Sequence, residues 1–278
     1  MKAKLLPGFT LILLFASILL FARQIQQKNI ASTNNRPSIA VSKTNPEVLK
    51  LISGDFKGII SDYLVLQTAQ FIGEAKEYIP DEDLEALAYL LELAQNLDPY
   101  FFTIPYYAEG SLARNPFITR EINKILKISH KSRTWDWEPG FYLGFNLFYY
   151  LHKNEEAAVI LQQASTRPEA PMLLGFLAAK FKQKSGNTEA SIQLLQTMLK
   201  TTKSTTVKNE IKKRIAGYKG VYILEKALTK YYSQYGRYPS QLSDLVNTGI
   251  LIKLPDNPYH DSFWYKQTKG KVFFFPFE

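Results

Sequence analysis

Three histidines, His130, His152 and His260, are the only imidazoles in the chain, and they stand in a helix end, a hairpin turn and a loop. None pairs with another at the i, i+4 spacing that puts two zinc ligands on one helical face. They read as surface or capping residues. Cysteine is absent, which removes disulfides, thiolate nucleophiles, Cys-ligated zinc and a lipidated N-terminal Cys. There is no Gly-rich phosphate loop, no Gly-x-Ser-x-Gly elbow and no DxDxDG calcium loop. Asp81, Glu82 and Asp83, and again Glu155 and Glu156, are adjacent carboxylates of the kind acid–base chemistry uses. Both groups open helical stretches, where the helix dipole favours negative charge. Asp81 is the expected N-cap. The expectation is a protein with no catalytic residue, no metal and no cofactor.

What remains is recognition. The 17 Tyr and 18 Phe supply rings that fill gaps between helices or line an interaction surface. Net charge is +9, and the excess is uneven: nine Lys or Arg lie between Lys200 and Lys230, against Glu210 and Glu225. Such a surplus suits an acidic partner, a nucleic acid or an anionic membrane surface.

Helices must carry these residues. From Pro46 onward apolar residues recur at helical spacing, giving paired stretches at 54–73 with 81–97, 100–113 with 117–129, 141–151 with 155–168, and 170–184 with 188–200. Pro99 closes the second stretch, because proline disfavours helical geometry in the residue before it. A small residue recurs as Gly110, Gly144 and Ala178, in steps of 34. The anchor of the second helix recurs as Leu87, Ile122, Ala157 and Ala190, in steps of 35, 35 and 33. Small residues let two helices approach, and each hairpin buries its open face on the next.

Leu174-x2-Leu177-Ala178-x2-Phe181, followed by Ala190-x3-Leu194, resembles the signature of the tetratricopeptide repeat family, with Leu and Phe for its aromatics and Ala for its Gly. Leu87-x3-Leu91-x2-Ala94-x4-Pro99 repeats it; in the third hairpin the interval from Gly144 to Ala157 is one residue longer, and Glu169 replaces the closing Pro. The resemblance implies a mainly α fold: a right-handed α–α superhelix of about four hairpins over residues 47–203, then a long capping helix and a small α+β module. It also implies a concave face, lined by the first helix of each pair, that holds a peptide or protein. The positions carried across are Tyr107, Ser111, Arg114 and Asn115; Phe141, Phe145, Phe148 and Tyr149; Gly175, Ala179, Lys182 and Gln183. The expected partner-binding set is Tyr107, Ser111, Arg114, Phe145, Tyr149, Lys182 and Gln183. Phe141, Phe145 and Phe148 also read as packing residues covered by their neighbours.

Residues 204–278 begin with a helix over 205–235. Val207, Ile211, Ile215, Tyr218 and Tyr222 form an apolar stripe that caps the last hairpin, and Lys208, Lys212, Lys213, Arg214 and Lys219 form a basic face. The basic face reads as solvated, with anionic headgroups or an acidic partner as alternatives. Gly236-Arg237-Tyr238-Pro239, Leu254-Pro255-Asp256-Asn257-Pro258-Tyr259 and two short apolar runs around Thr268 to Gly270 resemble the globular part of a type II secretion pseudopilin. Asn257 stands where that family usually has Asp, and His260 where it has Gly. Its acidic calcium-binding loop has no counterpart here, so no bound calcium is expected, and Asp256 and Asp261 read as turn residues.

At the N-terminus, Leu5 to Ala22 is an uncharged apolar run of 18 residues between Lys2 and Lys4 on one side and Arg23 and Lys28 on the other. That length spans a bilayer and exceeds a usual signal-peptide core, and Leu20-Phe21-Ala22 lacks a small residue at its first position. Residues 1–28 read as an uncleaved signal-anchor, with a cleaved signal peptide as the alternative, and 29–46 as a flexible tether. The anchor places the chain in the bacterial inner membrane as a single-pass protein with its bulk in the periplasm, where nucleic acid is not a partner. Pro7-Gly8-Phe9-Thr10-Leu11-Ile12 also looks like a prepilin processing site, with Leu13 in place of the usual Glu. The expected function is a membrane-anchored extracytoplasmic scaffold that binds a protein or peptide in an envelope assembly such as a secretion, pilus or transport complex. Alternatives are a pseudopilin-like subunit processed at Gly8-Phe9 and, remotely, an accessory of a cell-wall enzyme.

Overall fold

The computed structural model describes residues 44–75, 79–113 and 116–275, together with Ser17. The expected anchor, the Gly8-Phe9 site, the tether up to residue 43, Arg114 and Asn115 lie outside the described residues. The fold is mainly α with a small C-terminal α+β module. The chain divides into two compact units, Met1–Ala113 and Arg114–Glu278.

The first unit begins with α1 (Pro46–Ser53), which Asn45 caps by accepting from the Glu47 amide at 2.8 Å. A 3-10 turn at Gly54–Phe56 follows, and Gly54, at φ 49, takes a left-handed conformation that glycine adopts without cost. Next come α2 (Lys57–Glu74), α3 (Asp81–Leu97) and α4 (Thr103–Leu112), with α1, α2 and α4 all packed on α3. Helix α3 is central because a broad apolar side is covered: Leu84, Leu87, Leu90, Leu91, Leu93 and Ala94 are all buried. Asp81 is not an N-cap. Pro80 occupies that position with no side-chain cap, and Asp81 is the first helical residue, where it meets only the dipole.

Helix α2 is arranged inside out. Its buried residues are Ser61, Leu64 and Thr68, and Ser61 Oγ donates to the Ala94 carbonyl at 3.0 Å. Ile59, Tyr63 and Leu66 point to solvent, each more than half exposed. The unit is also acidic, with twelve Asp or Glu against Lys50, Lys57 and Lys76 over residues 44–113.

The second unit stacks α5 (Pro116–Ser132), α6 (Glu138–Tyr149), α7 (Asn154–Ser165), α8 (Met172–Lys184), α9 (Thr188–Thr201) and α10 (Thr205–Tyr235), each packed on the next in chain order. Helix α4 therefore belongs to the first unit and α5 to the second. Glycine decides how closely α6 and α7 meet. A Cβ on Gly144 would lie 2.6 Å from Leu161 Cγ, and one on Gly140 would lie 2.8 Å from Ala164 Cβ. The α6–α7 turn passes through His152 at φ 54, with the Lys153 amide bonded to the Leu147 carbonyl at 2.7 Å. Two spacing expectations need correction. Gly110 faces open space and seats no helix. Ala190 is only half-buried, and its neighbour Ser191 is the buried anchor, donating to the Ala179 carbonyl at 2.7 Å.

Gly236, at φ 67, ends α10 in the left-handed conformation expected of a helix stop. A one-turn helix, α11 (Asp244–Asn247), leads to β1 (Trp264–Lys266) and β2 (Lys271–Phe273), which pair antiparallel with Tyr265 opposite Val272. The module rests on two glycines of α10: a Cβ on Gly217 would lie 2.9 Å from the Phe274 ring, and one on Gly220 would run into Phe263. Asn257 closes the loop before β1. Its amide donates to the carbonyls of Ser262 and Phe274 at 2.8 and 2.9 Å, and its oxygen accepts from the Tyr259 amide at 3.0 Å.

Candidate functional site

Helix α6 carries aromatic residues at every fourth position along one side: Trp137 just ahead of it, then Phe141, Phe145 and Tyr149. Residues four apart on a helix are neighbours, so the rings form a row. Trp137 meets Phe141 edge-on at 6.2 Å, and Phe145 stacks on Tyr149 at 5.4 Å with the planes 11° apart. The outer pair faces solvent, with Phe145 41% and Tyr149 58% exposed. Those fractions separate two fates on one helix. Phe148 turns toward α8 and stacks on Phe181 at 3.9 Å beneath the Lys184 ammonium, whereas Phe145 and Tyr149 have no such cover. Because Gly140 and Gly144 press α6 onto its neighbours, the exposed pair stands on a rigid support.

A cationic group lies over Phe148 instead. Burial lowers the pKa of the Lys184 ammonium, and repulsion from Lys266 and Lys271 lowers it further. Lys182 is half-buried at the end of α8. Gln183, expected on the concave face, is instead buried: its amide donates to the Val272 carbonyl at 3.2 Å and to Glu225 at 3.4 Å. Gly175 and Ala179 are likewise covered, Gly175 by Met198. In the first unit, Tyr107 and Ser111 meet each other on α4. Burial raises the Tyr107 phenol pKa, and the hydrogen bond from Ser111 partly offsets that shift.

His130 is not a surface residue. Its ring is 7% exposed, lies against Gly140 and bonds through Nε2 to Gln163 Oε1 at 3.2 Å. Burial lowers its pKa and the nearby Arg167 adds to this, while the Gln163 bond opposes it. Arg167 spreads its guanidinium over the carbonyls of His130 at 2.5 Å, Arg133 at 3.2 Å and Asp136, satisfying the C-terminal end of α5. Arg133 pairs with Asp136 at 2.7 Å. This network is a helix cap, in which His130 Nδ1 is buried without a hydrogen-bond partner.

The basic face of α10 also differs from the sequence reading. Lys213 leaves it to lie over the Tyr259 ring at 4.2 Å. Arg214 leaves it to sit 4.2 Å from the Phe176 ring and 2.9 Å from Glu210, which accepts from Tyr259 Oη at 2.8 Å. Lys208, Lys212 and Lys219 remain, and Lys226 and Lys230 join them on the same side. Their spacing of 4, 7, 7 and 4 residues was the signal in the sequence, since 7 residues is two helical turns. Arg167 left no such signal, because its carbonyl partners lie 31 to 37 residues away.

The C-terminal module holds a cleft of ≈ 330 Å³ lined by Leu224, Leu242, Leu254, Phe263 and Tyr265, with Asp261 among its polar groups. Among the described residues no cluster of His, Asp and Glu is arranged to hold a metal ion, and no helix is long and apolar enough to cross a membrane. No protein-family model, curated protein or solved structure matches this chain. The tetratricopeptide and pseudopilin resemblances rest on residue spacing alone.

Proposed function

We propose that this chain is a membrane-anchored, extracytoplasmic scaffold of the bacterial envelope, resembling tetratricopeptide proteins, that holds a protein or peptide partner on the ring row of α6. The observation that carries this reading is the stacked, solvent-facing pair Phe145 and Tyr149 on a helix fixed by two glycine contacts. Rigid aromatic side chains offer large contact area at low conformational-entropy cost, which is why they dominate recognition surfaces. The outward apolar row of α2 supports the same class, because soluble chains seldom leave Ile, Tyr and Leu in line without a partner. A photo-crosslinking amino acid at Tyr149 of the full-length chain, irradiated in cells, is expected to give a discrete adduct that disappears with Phe145→Ala. An adduct pattern identical to that of the same probe at the exposed Glu189 would overturn the assignment.

A pseudopilin-like subunit is the second reading, supported by the order of the C-terminal module: a glycine-stopped helix, a loop closed by Asn257 and a two-strand hairpin. Mass analysis of the purified N-terminus decides between them. A methylated Phe9 terminus favours the subunit, and an intact Met1 removes it.

A further inference from the structure

Helix α10 carries two carboxylates, and the fold uses both. Glu210 accepts from Tyr259 and pairs with Arg214; Glu225 accepts from Thr188 at 2.6 Å and from Gln183 at 3.4 Å. Lys213 and Arg214 lie over aromatic rings. Lys208, Lys212, Lys219, Lys226 and Lys230 form the row; all but the half-buried Lys208 are exposed, and the Lys226 ammonium lies 5.3 Å from the Tyr222 ring on the same helix. At ~100° and ~1.5 Å per residue, the five fall within about 40° of arc along about 33 Å of helix, and neither carboxylate of α10 shares that arc.

The row occupies the side of α10 that stays open along its length. The packed side of α10 shifts from Ile211, Ile215 and Tyr218 in its first half to Gly220, Leu224 and Leu228 in its second, a turn of about 140° at ~100° per residue. The lysines lie in the sector that both packed sides leave open. In the middle of the row Ile223 is 45% exposed, beside the half-exposed Tyr222.

We propose that this row seats α10 on an anionic phospholipid surface. A straight line of ammonium groups, with no pocket and no guanidinium fork, fits a fluid sheet of phosphates better than a shaped partner, because lysine acts as a point charge and does not require planar geometry. Each lysine held within a Debye length of the bilayer adds to the attraction. Ile223 supplies an apolar contact at the headgroup boundary. This contact is additional to the N-terminal anchor: the anchor attaches the chain, and the row sets how the second unit lies against the bilayer.

The chain has no cysteine, so Ile223→Cys in the full-length protein gives a single site for an environment-sensitive fluorophore. Flotation with phosphatidylcholine vesicles reports the anchor, and the probe reports the row, so the two readings fail separately. Adding phosphatidylglycerol is expected to shift the emission to the blue and to weaken aqueous quenching about tenfold. Molar salt, or the combined Lys212→Gln, Lys219→Gln and Lys226→Gln changes at these exposed positions, should abolish the response. The same quenching on both vesicle types overturns the proposal, as does a response that survives the triple change. A probe that responds to double-stranded DNA or polyglutamate but not to phosphatidylglycerol overturns it in favour of a soluble polyanion.

Discussion

Gln183 Nε2 donates to the carbonyl of Val272 at 3.2 Å, so a side chain at the end of α8 holds a β-hairpin 89 residues further along the chain. The same amide reaches Glu225 of α10 at 3.4 Å. The stacked helices and the C-terminal hairpin are therefore joined through a buried polar group whose alternatives are costly, since leaving such a group without partners forfeits its solvation. A residue expected to contact a partner instead does internal structural work.

Two helical glycines should respond in opposite directions to the same substitution. Gly144→Ala puts a methyl group 2.6 Å from Leu161 Cγ and is expected to destabilise the second unit by about 1–3 kcal/mol. Gly110→Ala meets nothing within 4 Å inside α4 and should stabilise the first unit by about 0.5–1 kcal/mol. Urea unfolding of both variants checks the pair. Leu161→Ala and Gly144→Ala combined should cost less than the sum of the two single changes, as expected of two groups in direct contact.

Removing the guanidinium that caps α5 should be more costly. Arg167→Met strips the carbonyls of His130, Arg133 and Asp136 of a shared donor, and about 2–4 kcal/mol is expected, given that hydrogen bonds to charged groups are each worth about 1.5–3. Arg167→Lys should recover less than half, because one ammonium cannot fan across three carbonyls. Thermal melts of the three proteins at one pH suffice, and full recovery by lysine would exclude the cap.

Stability should depend on pH with two contributions of opposite sign. His130 has its pKa lowered by burial, so the unfolded chain binds the proton first, and stability is lost as pH falls through the ordinary imidazole value of about 6.5. Glu225 has its pKa raised by burial, against the hydrogen bonds from Thr188 and Gln183 and the charges of Lys271 and Lys226. For that group the folded state binds the proton more tightly, and stability is lost as pH rises above the ordinary carboxylate range. Urea midpoints measured from pH 4 to pH 8 should climb less steeply between pH 5 and 7 in His130→Gln than in the parent. In Glu225→Gln the decline contributed by the carboxylate should disappear. An unchanged profile in either variant contradicts the corresponding assignment.

Asn257→Asp is expected to be harmful to the C-terminal module. The Asn257 amide donates to two carbonyls, those of Ser262 and Phe274, and a carboxylate has no proton for either. A loss of about 2–3 kcal/mol in the C-terminal module follows from two broken bonds and the repulsion between oxygens. Hydrogen exchange should show faster opening across residues 263–274 while α5 to α9 keep their protection.

Local features were legible because each depends on a few neighbouring residues. Apolar period placed the helices, and Pro99 and Gly236 the ends of α3 and α10, since these follow from backbone sterics and hydrogen bonding within a few turns; the N-cap of α3 falls on Pro80, one residue before the Asp81 expected. The ring-rich first helix around Gly144 was also legible, as was Gly144 itself as a seat. What the tertiary structure alone decided was which of several chemically equal residues is covered. Phe148 stacks on Phe181 while Phe145 remains open. Lys213 and Arg214 turn onto aromatic rings of other elements while Lys226 and Lys230 extend the outward row. His130 becomes buried because α6 presents glycine to it. Periodicity fixes the side of the helix to which a residue belongs. The partner on that side comes from chain tens of residues away, and no local pattern encodes it.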